Sequence, residues 1–134
     1  MTTIPYLPHG RRLVYVGREH KYAEAARAMA VQSGCVKQRT GAVIVKRGKI
    51  VGRGNNSVTR VPTHCPRETM QTGYGYEVCS QYCGQEGHAE IAALKDAGAD
   101  VSGADLFLAG HHWVCRECWN AILAAGIREV FIVI

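Results

Sequence analysis

The apolar and polar positions of this chain fall into two alternating rhythms, one helical and one extended. From His20 to Gln32 the run HKYAEAARAMAVQ places Tyr22, Ala25, Ala26, Met29 and Ala30 on one helical face. That is the period of an amphipathic helix, with Gly34 as its stop. GAVIVK (41–46) and KIVGRG (49–54) are β-rich runs flanking Arg47-Gly48, which predicts a hairpin with a tight turn. HAEIAALKDA (88–97) returns to the helical period and meets Gly98. DLFLAG (105–110) reads as a buried strand. CRECWNAILAAG (115–126) reads as a third helix with Gly126 as its C-cap. REVFIVI (128–134) is a final β-rich run.

Two stretches have no period. Residues 1–17 contain Pro5, Pro8 and Gly10 and read as irregular. Residues 55–87 carry Asn, Thr, Pro, Gly and three cysteines; a loop of that length inside a compact domain is functional or tied down by something. The order is helix, strand, strand, helix, strand, helix, strand. Its last β-α-β unit predicts parallel strands with a right-handed crossover. The expected fold class is α/β: a three-layer α/β/α sandwich around a mixed sheet of at least four strands.

Composition narrows the class. A chain of 134 residues suits one domain over 1–134. Apolar residues at 47% and charged residues at 20% exclude a disordered chain, a collagen-like repeat and a coiled coil. No apolar run approaches the roughly 20 residues that span a bilayer. The opening MTTIPYLPHGRR lacks the apolar core of a signal peptide, so a cytoplasmic location is expected rather than secretion. The net charge of +5 favours an anionic partner such as a nucleotide. A polynucleotide is not favoured, because no long basic stripe interleaved with aromatics is present.

The six cysteines change the picture most: Cys35, Cys65, Cys79, Cys83, Cys115 and Cys118. In a reducing compartment, clustered cysteines read as metal ligands or catalysts rather than disulfides. Cys115 and Cys118 open a predicted helix, three residues apart and so on one face. The partial positive charge of a helix N-terminus favours the thiolate that zinc needs. His88 opens the preceding helix. Together the three make a zinc site with an open fourth position, the mark of a catalytic rather than a structural metal. Glu90, two residues from His88, can act on a water there without ligating the metal. A His-x-Glu followed by Cys-x-x-Cys is the arrangement of zinc deaminases. Each half alone is weak, since a lone Cys-x-x-Cys also fits a redox pair or half a zinc ribbon.

With these motifs the chain resembles the zinc-dependent cytidine and deoxycytidylate deaminase superfamily, most of all the deoxycytidylate branch. The resemblance runs from about Tyr22 to the C-terminus and rests on SGCVKQRTGAVIVKRGKIVGRGNN (33–56), THCPRE (63–68), GHAEIAAL (87–94) and CRECWNAILAAGIREVFI (115–132). It implies a cytidine deaminase-like fold and hydrolysis of a cytosine nucleotide, dCMP as first choice, to the uracil nucleotide and ammonia. Free cytidine or another nucleobase is the runner-up. His88, Cys115 and Cys118 would hold the zinc, and Glu90 would move protons. Asn56, rather than Asn55, would contact substrate, and the Ala89 backbone would meet the base carbonyl. Arg53 or Arg60 would meet a phosphate, and Trp113 would stand at the pocket. Relatives of this size form homo-oligomers.

Three departures stand out. Val114 replaces the usual Pro before Cys115, GHHW (110–113) is longer than the usual connection, and relatives commonly continue past the position of Ile134 with another strand and helix, leaving one sheet edge open. Val114 and GHHW keep a non-catalytic, zinc-stabilised binding module in play. The remaining Cys35, Cys65, Cys79 and Cys83 are candidates for a second, structural zinc that ties down 55–87, with Glu86 competing for one position. Otherwise these thiols are unmetallated.

Overall fold

The computed structural model describes residues 7–32, 39–56, 88–98 and 100–134. Five strands form one mixed sheet: β1 (Leu13–Val16), β2 (Gly41–Lys46), β3 (Lys49–Asn55), β4 (Asp105–Ala109) and β5 (Glu129–Val133). The helices are α1 (Lys21–Val31), α2 (Ala89–Ala97) and α3 (Arg116–Ala125). The strand order is β1-β5-β4-β2-β3. β5 runs parallel to β1 and β4, while β2 is antiparallel to β3 and β4.

β1 corrects the irregular reading of residues 1–17. LVYV is rich in β-branched and aromatic residues, but only four residues long, and its partner lies at the far end of the chain. The Arg11 guanidinium donates to the carbonyls of Arg128 (2.8 Å) and Ile127 (3.0 Å), and Arg12 pairs with Glu129 at 3.1 Å. The Ile134 N–H donates to the Val16 carbonyl at 2.9 Å. β1 therefore forms the edge of the sheet beside β5.

Alternation along the strands sorts the core into two faces. Val43, Val45, Phe107 and Val133 face α1, whose contribution is Ala23, Ala26 and Ala30. Ala42, Ile44, Leu106, Leu108, Val130 and Ile132 face α2 and α3, which contribute Ala89, Ala93, Trp119 and Ile122. This is the three-layer sandwich expected from the element order. Val114, standing where the resemblance expects Pro, is fully buried in the second cluster.

The hairpin forms as its sequence predicts. Arg47 (φ 53°) and Gly48 (φ 76°) both take positive φ, as the tight turn of a two-residue hairpin requires. β3 then carries glycine where α2 presses on it. A Cβ on Gly52 would lie 2.7 Å from the Ala97 Cβ; one on Gly54 would lie 2.7 Å from the Ala89 carbonyl oxygen and would overlap the Ala93 backbone. Since Gly52 meets Ala93 and Ala97 while Gly54 meets Ala89 and Ala93, α2 runs opposite to β3. Its N-terminus lies at the Asn55–Asn56 end of the sheet.

Candidate metal centre

α2 and α3 both begin at this end, and each begins on a candidate ligand. His88 is the N-cap of α2 (φ −78°, ψ 164°) and Cys115 the N-cap of α3 (φ −71°, ψ 162°). Both therefore precede their helices by one residue, instead of forming the first turn as the helical period suggested. Neither side chain caps its own helix. Each is left to turn toward the other. The sulfurs of Cys115 and Cys118 both lie 3.3 Å from His88 Nδ1. The three donor atoms lie within 4.8 Å of one another, and among the described residues this is the one such group.

The electrostatics are those of a cation site. The Cys115 thiol is held down to about 4, chiefly by a hydrogen bond from Cys118, against its burial and with help from His88. The Cys118 thiol is pushed up by that same bond to the neighbouring thiolate and by burial. A metal ligand must be deprotonated, and Cys115 is the thiol held ready for it. Burial lowers the His88 pKa, but its hydrogen bond and charge attraction to Cys115 outweigh burial and leave it raised.

Glu90 is 3% exposed and shares a hydrogen bond with the Cys118 thiol. Burial raises its pKa, opposed by the charge of His88. A buried carboxyl beside three metal donors, yet outside the donor set, has the position and proton affinity of a general acid–base.

The sheet supplies the rest of this end. Adjacent asparagines part company there. Asn55 turns to the α1 face, where its Nδ2 donates to the Met29 carbonyl at 3.1 Å. Asn56 follows Gly54 on the α2 face by alternation, beneath the start of α2. Its Oδ1 accepts from the Thr40 N–H at 2.9 Å, and its own N–H donates to the Thr40 carbonyl at 3.3 Å. Of the two asparagines, Asn56 is the one on the α2 face of the sheet. Thr40 itself, which the sequence motifs did not single out, is buried beside it. The signal that finds it is strand register: it lies two residues before Ala42, on the same face.

Ala89, the first residue of α2, is fully buried. Trp113 lies in the connection from β4 to Cys115, half-buried, with its ring tilted on His111 at 4.5 Å. Arg53 is not brought to the centre. It pairs with Val43 across the hairpin, so its exposed side chain projects from the α1 face, while its N–H donates to Asp96 Oδ2 at 2.9 Å. Two glycines pointing toward α2 force Arg53 between them to point away. Cys35, Cys65, Cys79, Cys83, Glu86 and Arg60 lie outside the described residues. Among the described residues no helix is long and apolar enough to cross a membrane.

Comparison with known proteins agrees with this geometry. The family model of the cytidine and deoxycytidylate deaminase zinc-binding region matches residues 17–134. A deoxycytidylate deaminase of Schizosaccharomyces pombe is 32% identical over 114 residues, which is 81% of this chain and 34% of the yeast protein. The ComE operon protein 2 of Bacillus subtilis is 27% identical over 106 residues, 77% of this chain and 52% of that protein. The chain thus spans a third to a half of these relatives. Among solved structures, the dCMP deaminase of cyanophage S-TIM5 superposes with a TM-score of 0.61 at 25% identity, covering 84% of this chain and 79% of that one. The phage enzyme has also been solved in complex with dCMP and dUMP.

Proposed function

The chain belongs to the cytidine and deoxycytidylate deaminase family, and from that membership we propose that it hydrolyses a cytosine nucleotide, dCMP first, to the uracil nucleotide and ammonia. The family's members are zinc-dependent hydrolytic deaminases, and the donors present here fit that metal. Tetrahedral zinc about 2.3 Å from sulfur and about 2.0–2.1 Å from nitrogen sets the two about 3.6 Å apart, close to the 3.3 Å between His88 Nδ1 and each sulfur. Bound there, zinc would supply a Lewis acid that brings the pKa of water to about 7.

The remaining steps fall to side chains of the protein. Glu90 takes a proton from the attacking water and delivers it to N3 of the ring as the new C4–O bond forms. It then takes the remaining proton from the hydroxyl now on C4 and passes it to the departing amine as the C4–N bond breaks, leaving the C4 carbonyl of the uracil ring and ammonia. A carboxyl with a pKa raised by burial is suited to accept and return protons. Asn56 orients the nucleoside from the sheet, the Ala89 backbone meets the base carbonyl, and Trp113 walls the pocket.

The observation that carries this reading is Glu90 buried against the three-donor cluster. A purely structural zinc has no use for it. The choice of dCMP is supported by the +5 charge and by the names of the yeast and phage relatives. A second zinc on Cys35, Cys65, Cys79 and Cys83, or with Glu86 in place of one of them, and a homo-oligomeric assembly complete the proposal.

The test is a deamination assay on metal-quantified protein, comparing cytidine, CMP, dCMP and dCTP. Turnover is expected to be highest with dCMP, with about two zincs per chain. One zinc with turnover keeps the enzyme and removes the second site. Bound zinc without ammonia release from any cytosine substrate contradicts the proposed activity.

A further inference from the structure

We propose that Asp96 is a positioning residue for the deamination: by accepting the Arg53 N–H it stops α2 from sliding along β3, and so holds His88 and Glu90 in place at the other end of the helix. The inference rests on the deaminase reading above and adds to it a residue remote from the metal centre.

The seam between α2 and β3 is built from small residues on both sides. Gly52 lies against Ala93 and Ala97, and Gly54 against Ala89 and Ala93. The three alanines follow one another at every fourth position, one stripe of the helix. Such a seam brings helix and strand backbones very close. It offers no large side chain to key the helix at one height along the strand. A directional contact does that instead.

Asp96 makes this contact. β3 is the last strand of the sheet, and an edge strand has backbone groups that face no neighbouring strand. The Arg53 N–H donates to Asp96 Oδ2 at 2.9 Å, between the two glycines of the seam. N–H···O bonds fade beyond roughly 3.2 Å, so a small slide of α2 breaks this one. Nothing within α2 accounts for an aspartate here. Aspartate is a poor helix former, and a carboxylate in the last turn opposes the negative end of the helix dipole. Its contribution lies in the bond to β3. Glu90 is on the same helix, about 9 Å along the axis, and His88 is the N-cap. A helix of 9 residues moves as one body, so slippage at Asp96 is passed to both.

The experiment compares Asp96→Ala, Asp96→Asn and Lys95→Ala with the wild-type protein at saturating zinc. Kinetics on dCMP give kcat and KM, and competition with a chromophoric chelator gives zinc affinity. Alanine strengthens the helix, by propensity and by removing the opposed charge, while it deletes the acceptor. Asparagine keeps an acceptor oxygen. Lys95 is exposed in the same turn, and Lys95→Ala weakens the helix end with the Asp96 bond intact. Asp96→Ala is expected to lower kcat about fivefold and zinc affinity by a similar factor, the scale of one exposed hydrogen bond, with KM within about twofold. Asp96→Asn and Lys95→Ala should both stay within about twofold of wild type.

Unchanged kcat and zinc affinity in Asp96→Ala overturn the proposal and leave the deaminase reading intact. A loss that Asp96→Asn shares assigns the effect to charge, and one that Lys95→Ala shares assigns it to helix stability; either overturns the proposal. A wild-type protein that releases no ammonia from any cytosine substrate overturns the deaminase reading instead, and the zinc affinities then decide on Asp96 alone.

Discussion

Asn55 and Asn56 are neighbours, identical in chemistry and similarly buried, at 9% and 6% exposure. They face opposite sides of one sheet and serve different ends. On the α1 face, Asn55 ties down a carbonyl near the C-terminal end of a helix. On the other face, Asn56 lies toward the start of α2, the helix that begins on His88. The contrast extends to the helices. α1 brings alanines and a carbonyl to this end, a negative dipole end with no donor cluster. α2 and α3 bring two positive dipole ends, each starting on a ligand. Thiolates are stabilised by the second arrangement and not by the first. One face of the sheet is therefore scaffold and the other chemistry, and the two-residue period of a strand decides which residue joins which.

The sharpest way to break the comparison is to remove a ligand from the chemical face. Cys118→Ser is expected to abolish zinc binding at this centre and reduce deamination to background. Metal analysis and ammonia release check this together. Chelation of the wild-type protein should do the same reversibly, with activity returning on added zinc.

Next in size is the seat of α2. Gly54→Ala forces a Cβ into the backbone of Ala89 and Ala93. Overpacking of this kind costs about 1–3 kcal/mol or more, and urea unfolding should place this variant at the upper end. Activity should fall as well, because the displaced helix carries His88 and Glu90.

The two asparagines then test the comparison itself. Asn56→Ala is expected to lower kcat/KM by about 10- to 100-fold, in line with losing a substrate hydrogen bond as well as its bond to Thr40. Asn55→Ala should cost about 1 kcal/mol of stability and leave kcat/KM within about threefold. Equal kinetic effects would erase the distinction between the faces.

The smallest effect belongs to the far edge. Arg11→Ala removes two hydrogen bonds that dock β1 on β5. It should cost about 1 kcal/mol, since these bonds are partly exposed, with kinetics on dCMP unchanged.

Much of the frame was legible in the order of residues because its signals are local. The hairpin announced itself through Arg47-Gly48, and α3 through Gly126, which adopts the left-handed C-cap (φ 81°). The three metal donors were legible because spacing on helix starts is itself geometry. What escaped depends on partners distant in the chain. β1 is a strand because β5 lies beside it, more than a hundred residues later, and Pro8 and Gly10 obscured it. Arg53 reads as a cation next to a substrate asparagine, but the glycines on either side of it belong to the α2 face and turn it away. The starts of α2 and α3 were misplaced by one residue for a related reason, because an extended N-cap keeps the helical spacing of the side chains that follow it.

The central claim is that Glu90 works on protons beside a metal it does not hold. Ammonia release from dCMP by Glu90→Gln, measured against wild type at equal zinc content and equal thermal midpoint, tests it most directly. The account predicts full zinc occupancy with kcat reduced by about 10³ or more, the scale of a lost general acid–base. A Glu90→Gln protein that loses its zinc would make Glu90 a ligand, and one that keeps both zinc and turnover would remove it from the chemistry; either result contradicts the account.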